Sequence, residues 1–188
     1  MSPAIFIDKD GTLIRDVPYN VDPQLLEFTP GAASFLKAMK KAGFRLILVS
    51  NQPGIAMGLF SATAFTDYIR HMNQQLNPGL DSIYYCAHAG PGADGRFHCD
   101  CRKPLPGLIL RAAFEQKISL QHSWMIGDIL DDVEAGNRAG CQTILLNNGS
   151  ETEWQPGVMR LPDFTVKRFE EAEDIILKKI KYETGSRY

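Results

Sequence analysis

The chain has 188 residues, enough for one substantial hydrophobic core and short for two, so a single domain over residues 1–188 is expected. Apolar residues make up 44% and charged residues 22%, and a formal net charge of −2 removes any electrostatic case for nucleic acid or an anionic membrane surface. No basic segment leads into a long apolar run and no window approaches the ~18 apolar residues of a membrane span, so the expectation is a cytoplasmic protein without membrane partners.

The first predicted element is a buried strand, Ala4 to Ile7, which runs straight into Asp8, Asp10 and the turn residue Gly11. In "TPGAASFLKAMKKAG", Thr29 reads as an N-cap, Pro30 as the first helical residue and Gly43 as the stop, with Ala33, Phe35, Leu36 and Met39 on the apolar side. "RLILVS" (45–50) is a second buried strand, and "SATAFTDYIRHMNQQL" (61–76) a helix capped by Ser61. "SIYYC" (82–86) is a third strand, followed by a Gly-rich loop to Pro106 and a helix over about 107–117. "SWMIGD" (123–128) ends a fourth strand in another acid, a helix spans about 131–139, and "QTILL" (142–146) is a fifth strand. A loop through Trp154 and Pro156 leads to "DFTV" and a last amphipathic helix, about 168–181.

Strands alternating with helices at this spacing mean βαβ units: an α/β, three-layer, Rossmann-like parallel sheet with helices on both faces. In such sheets ligands bind beyond the carboxyl ends of the strands. Those ends carry Asp8 and Asp10, Ser50 and Asn51, Cys86, and Asp128. Any one of them could be a turn or cap residue. Three carboxylates converging on one edge repel unless a cation or a catalytic task holds them, and the natural cation is Mg²⁺, which takes a few carboxylates and accepts phosphate oxygens.

Cys86, His88, Cys99 and Cys101 form a second constellation. Three thiolates and one imidazole complete a tetrahedral set for structural Zn²⁺ and leave no open position for catalysis. His98, beside Cys99, is a competing ligand. Cys141, just before a buried strand, reads as a small core residue. A metal here would order a loop with few apolar residues, directly before Arg102 and Lys103.

"DKDGT" followed by "SNQ", "RKP" and "GDILDD", in that order and each after its strand, resembles the haloacid dehalogenase superfamily of phosphohydrolases over residues 4–146. "SNQPGIAMGLF", "YYCAH" and "CDCRKPLPG" are more narrowly similar to the D-glycero-D-manno-heptose 1,7-bisphosphate phosphatase family, whose nearest relatives are the histidinol-phosphate phosphatases. The resemblance implies that Asp8 is the nucleophile, forming an aspartyl-phosphate, and that Asp10 is general acid and then base. It implies that Asp8, the Asp10 carbonyl and Asp128 hold Mg²⁺, that Ser50 donates to the phosphoryl oxygens and that Lys103 neutralises their charge. Its Cys-x-His pattern selects His88 over His98. Asp16, Tyr19, Asn51, Gln52, Arg102 and Lys103 match substrate-contacting positions, whereas Met57 and Ile129 stand where the family has basic residues. Asp132 reads either as a helix-start residue or as support for the metal site.

No large cap domain is inserted in the chain, so loops 15–28 and 52–60 and the zinc-binding loop must cover the site. The expected substrate is a small phosphorylated sugar handled by a monomer: most directly the 7-phosphate of the heptose bisphosphate, alternatively histidinol phosphate or another sugar phosphate. A catalytically silent, zinc-braced phospholigand-binding module is the competing class. Against it stands the presence of nucleophile, acid, phosphate donor, lysine and metal acid together.

Overall fold

The computed structural model describes residues 1–92 and 99–185. Its strands are β1 (Ala4–Ile7), β2 (Arg45–Asn51), β3 (Ser82–Cys86), β4 (Trp124–Gly127), β5 (Gln142–Leu146) and β6 (Phe164–Val166). The helices are α1 (Ala32–Lys41), a short α2 (Pro53–Ala56), α3 (Ala62–Gln75), α4 (Gly107–Gln116), α5 (Leu130–Ala139) and α6 (Phe169–Gly185). The strands form one sheet in the order β3-β2-β1-β4-β5-β6, and every neighbouring pair is parallel. The stretch "DFTV" therefore supplies an edge strand as well as leading into the last helix.

Alternation along the strands divides the core between two faces. Ile5, Ile7, Leu46, Leu48 and Ile126 pack with Phe35, Leu36 and Met39 of α1, Phe65 and Ile69 of α3, and Phe169 and Ile176 of α6. Phe6, Ile47, Val49 and Met125 pack with Leu108 and Ile109 of α4 and Ala135 and Ala139 of α5. Burial on both sides explains why β1, β2 and β4 read as continuous apolar runs.

The first helix begins later than its sequence predicts. Gly31 is its N-cap at φ 84°, a left-handed conformation that ends any helical path from Thr29, so the helix starts at Ala32. Phe35, Leu36 and Met39 form the buried side as expected, joined by Ala32, whereas Ala33 is exposed. A side chain at position 31 would also press on Phe169 and Glu170 of α6, so the glycine fixes how those two helices approach.

The chain leaves β1 for β2 and β3 on one side, then crosses back through α4 to β4 on the other. The sheet thus reverses its winding between β1 and β4, and the crevice at their carboxyl ends is where such a sheet receives a ligand. Asp8 and Asp128 are the residues directly after those two strands.

Candidate active site

Asp8 is 7% exposed and Asp128 4%, and their carboxylates face one another across the crevice together with that of Asp132. Oxygens of all three lie within 4.8 Å of one another. Lys103, itself buried, inserts its ammonium among them, bonding Asp8 Oδ1, Asp132 Oδ1 at 2.5 Å and the Val49 carbonyl at 3.1 Å. Burial would lower its pKa, but Asp132 and Asp8 outweigh burial and hold the lysine charged.

One cation does not balance three buried acids. Burial, helped by Asp132 and Asp10 against the opposing pull of Lys103, pushes Asp8 up to about 7. Burial and the neighbouring Asp8 push Asp128 up to about 6. Asp132 has both oxygens engaged, one by Lys103 and the other by the Ile129 N–H at 3.3 Å, where it caps the start of α5. The helix-start reading of Asp132 is met, and the same side chain also reaches Lys103. Asp8, Asp128 and Asp132 together could hold a divalent cation, whose charge would relieve their mutual repulsion.

Several further residues, some inside the first motif and some far along the chain, shape Asp8 and Asp128. Thr12 donates to Asp128 Oδ1 at 2.8 Å. Gly11 has φ 77°, and a Cβ there would stand 2.0 Å from Asp128 Oδ2, so only glycine permits the β1 turn to approach β4 this closely. From the loop after β5, Asn148 donates to the Gly11 carbonyl at 2.5 Å, and Ser150 bonds Asp128. Glu151, also in that loop, accepts from the Leu130 N–H at 2.7 Å, placing an anion at the N-terminus of α5. The stretch "NNGSE" carries no spacing that marks it, and only its spatial neighbours reveal this bracing.

Asp10 stands where two cavities adjoin. One, of about 230 Å³, is lined by Asp8, Asp128, Lys103, Ile129 and Ser150 and shares Asp10, Asp16 and Asn51 with its neighbour. The other, of about 290 Å³, is lined by Lys9, Asp10, Asp16, Tyr19, Asn51 and Gln52, so Asp16, Tyr19, Asn51 and Gln52 meet in one place. Gln52 Nε2 donates to Asp10 Oδ2 and to Ser50 Oγ, each at 2.9 Å, which makes Ser50 an acceptor there and leaves its hydroxyl hydrogen for another partner. The Asn51 amide is engaged with the main chain of Lys103. Arg102 is directed elsewhere: its guanidinium donates to the His88 carbonyl at 3.4 Å. Met57, at the end of α2, is exposed.

The second constellation also assembles. Cys86, His88, Cys99 and Cys101 present ligand atoms within 4.8 Å of one another. His88 Nδ1 lies 3.4 Å from Cys86 Sγ and 3.3 Å from Cys101 Sγ, and the Cys86 and Cys99 sulfurs are 3.7 Å apart. That is too far for a disulfide. It is close to the roughly 3.8 Å between sulfurs that share a tetrahedral Zn²⁺ at bond lengths of about 2.3 Å. His98, the competing ligand, lies outside the described residues. Cys141 sits apart in the core, where burial pushes its thiol up to about 12 and makes it a poor ligand.

A family model for HAD-hydrolase-like proteins matches residues 100–172. The chain is 38% identical over 149 residues to the D-glycero-beta-D-manno-heptose-1,7-bisphosphate 7-phosphatase of Yersinia pestis, spanning 77% of this chain and 79% of that protein. It is 41% identical over 140 residues to the Haemophilus influenzae enzyme of that name, spanning 72% and 76%. Among solved structures, the D,D-heptose 1,7-bisphosphate phosphatase of B. bronchiseptica, complexed with magnesium and phosphate, superposes with a TM-score of 0.80 at 29% identity, covering 94% of this chain and 99% of the other. A HAD-like phosphatase from Mesorhizobium loti superposes with a TM-score of 0.79 at 29% identity, covering 96% and 87%.

Proposed function

The chain belongs to the HAD-like phosphatases, in the D-glycero-beta-D-manno-heptose-1,7-bisphosphate 7-phosphatase family, and from that premise we propose how its own residues hydrolyse the 7-phosphate of such a bisphosphate. The observation that carries the reading is that Asp10, with Asp16 and Asn51, lies on the seam shared by the two cavities, one holding Asp8, Lys103 and Asp128 and the other walled by Lys9, Tyr19 and Gln52. The phosphoryl group occupies the first and the sugar the second, so the bond to be broken lies beside Asp10.

Asp8 attacks phosphorus. The bond from phosphorus to the sugar oxygen breaks as the Asp8–phosphorus bond forms, and Asp10 gives its proton to the leaving oxygen. Asp10 then takes a proton from water, whose oxygen attacks phosphorus and releases Asp8. Lys103 bears against the transferring charge, and Ser50 donates its hydroxyl hydrogen to a phosphoryl oxygen. Asp8, the Asp10 carbonyl and Asp128 would hold Mg²⁺, which supplies further positive charge at those oxygens when bound. Cys86, His88, Cys99 and Cys101 would hold a structural Zn²⁺ that fixes the segment leading into Arg102 and Lys103. The reading is of a single domain working as a monomer on a small phosphorylated sugar.

The test is a side-by-side measurement of kcat/KM for heptose 1,7-bisphosphate, fructose 1,6-bisphosphate and histidinol phosphate, with Mg²⁺ and after EDTA. The heptose compound should lead, activity should vanish without Mg²⁺, and Asp8→Asn should abolish turnover while leaving the fold intact. Preference for histidinol phosphate would transfer the chain to the sister specificity. Turnover by Asp8→Asn at the wild-type rate would remove Asp8 from the chemistry.

A further inference from the structure

Lys9 lies between the two acids of the first motif, and its side chain is buried, with the residue only 1% exposed. Its ammonium bonds Asp10 Oδ1 and lies 5.4 Å from the ring centre of Tyr68 and 5.9 Å from that of Phe65. Burying an ammonium is costly unless a partner compensates, and two buried rings of α3 would be packed as well by a methionine. The charge at this position therefore calls for an account that packing alone does not give.

That account lies in the other oxygen of Asp10. Gln52 Nε2 donates to Oδ2 at 2.9 Å, so Lys9 and Gln52 hold the carboxyl from both sides and fix its plane. The two donors come from separate parts of the chain, one from the turn after β1 and one from the N-cap of α2. Each oxygen accepts one hydrogen bond and keeps room for a second, which is where a proton would sit. Asp16, an acid that lines both cavities, is near enough to feel both Asp10 and Lys9.

We propose that Lys9 is a positioning residue that holds Asp10 in the orientation needed to protonate the leaving sugar oxygen. The proposal rests on the reading of Asp10 as general acid. Gln52 fixes the second oxygen but also touches Ser50, which makes Lys9 the cleaner handle.

A purely structural lysine would affect all substrates alike, whereas an acid-positioning one matters in proportion to the leaving group's need for a proton. The test therefore compares kcat/KM on fructose 1,6-bisphosphate, whose alkoxide needs a proton, and on p-nitrophenyl phosphate, whose phenolate does not. The enzymes are wild type, Lys9→Met, Lys9→Arg and Asp10→Asn, all loaded with Mg²⁺. This ratio reports the first phosphoryl transfer and is insensitive to later hydrolysis of the intermediate.

In Asp10→Asn, the loss on the sugar phosphate should exceed the loss on the aryl phosphate by about 100-fold, the scale of general acid catalysis. In Lys9→Met the excess should be at least about tenfold, and Lys9→Arg, which restores a cation, should recover most of it. Equal losses on both substrates in Asp10→Asn would remove the acid role and the proposal with it. A selective loss in Asp10→Asn with none in Lys9→Met would overturn the Lys9 proposal alone. If Lys9→Met does not fold, Lys9→Gln carries the same comparison, and a wild-type ratio there is equally fatal.

Discussion

Asn51 and Lys103, fifty-two positions apart, are joined by a reciprocal pair of hydrogen bonds: the Asn51 amide donates to the Lys103 carbonyl at 3.0 Å and accepts from the Lys103 N–H at 3.0 Å. An amide is the one side chain that can both donate and accept in this way at that length. The pair fastens the end of β2 to the segment that follows the cysteine cluster, and so fixes the root from which the lysine enters the cavity.

This makes Asn51 a determinant of kcat. Asn51→Leu should lower kcat by about tenfold or more through displacement of Lys103, with little change in KM, on the scale typical of a misplaced charge stabiliser. Steady-state kinetics on the bisphosphate decide the matter. A rise in KM at constant kcat would instead make Asn51 a direct substrate contact.

Gly11→Ala should be among the most damaging small substitutions. A methyl group there would collide with Asp128 Oδ2 and force a left-handed backbone on a residue that resists it. The expected outcome is a folded protein whose Mg²⁺ requirement rises at least about tenfold, on the scale at which groups supporting a metal site act. Isothermal titration with Mg²⁺, alongside circular dichroism, separates loss of metal from loss of fold.

Glu151 tests the bracing by the loop after β5. Its carboxylate accepts the N–H groups of Leu130, Glu153 and Trp154, which hold its pKa below the usual glutamate range despite the opposing effect of burial. Glu151→Ala should free the first turn of α5 and with it Asp128, lowering Mg²⁺ affinity by several-fold and stability by about 1 kcal/mol, the ordinary cost of a lost helix cap. Unchanged Mg²⁺ activation in this variant would confine Glu151 to the loop itself.

The raised acids give the metal-free protein an unusual pH response. Asp8 and Asp128 hold their protons more tightly when folded than unfolded, with folded values of about 7 and about 6 against 3.8 for both. Their contribution to stability is therefore complete at low pH and is lost as pH rises through 6 and 7. Without metal, Tm should fall by at least about 3 °C between pH 5.5 and pH 8, as a loss of about 1 kcal/mol implies for a chain of this size. Mg²⁺ replaces the protons, so the rise in Tm on adding it should be larger at pH 8 than at pH 5.5. A Tm that climbs with pH in the absence of metal would contradict the electrostatic account of the site.

Sequence periodicity exposed five strands and the alternation, because buried parallel strands are short apolar runs with sharp ends. It misplaced the start of α1, since Pro30 imitates a first helical residue while Gly31 in a left-handed conformation delays the turn. The strand ends located the acids, because topology alone carries Asp8 and Asp128 to one crevice. What stayed hidden were the contacts of side chains whose importance comes from partners far along the chain: Lys9 beneath two rings, Thr12 on Asp128, and Asn148, Ser150 and Glu151 behind the crevice. Such residues have no spacing of their own, and only the closed fold brings them to the site.

The cysteine cluster makes the last prediction, because its metal should behave unlike the first. Mg²⁺ held by two carboxylates and a carbonyl exchanges readily, whereas Zn²⁺ in a Cys₃His set is held far more tightly and couples to the order of its loop. Purified protein should carry about one zinc per chain by elemental analysis, on the tetrahedral ligand count, and should retain it through EDTA treatment that removes Mg²⁺ and activity together. Added Mg²⁺ should then restore activity in full. Cys99→Ser or Cys101→Ser should lower zinc content and kcat in parallel, because Arg102 and Lys103 follow directly on the cluster although no catalytic group has been altered. Cys141→Ser, in the core and away from the cluster, should leave zinc content unchanged. Zinc-free protein with full Mg²⁺-dependent activity would detach the cluster from catalysis and leave its close tetrahedral spacing without a task.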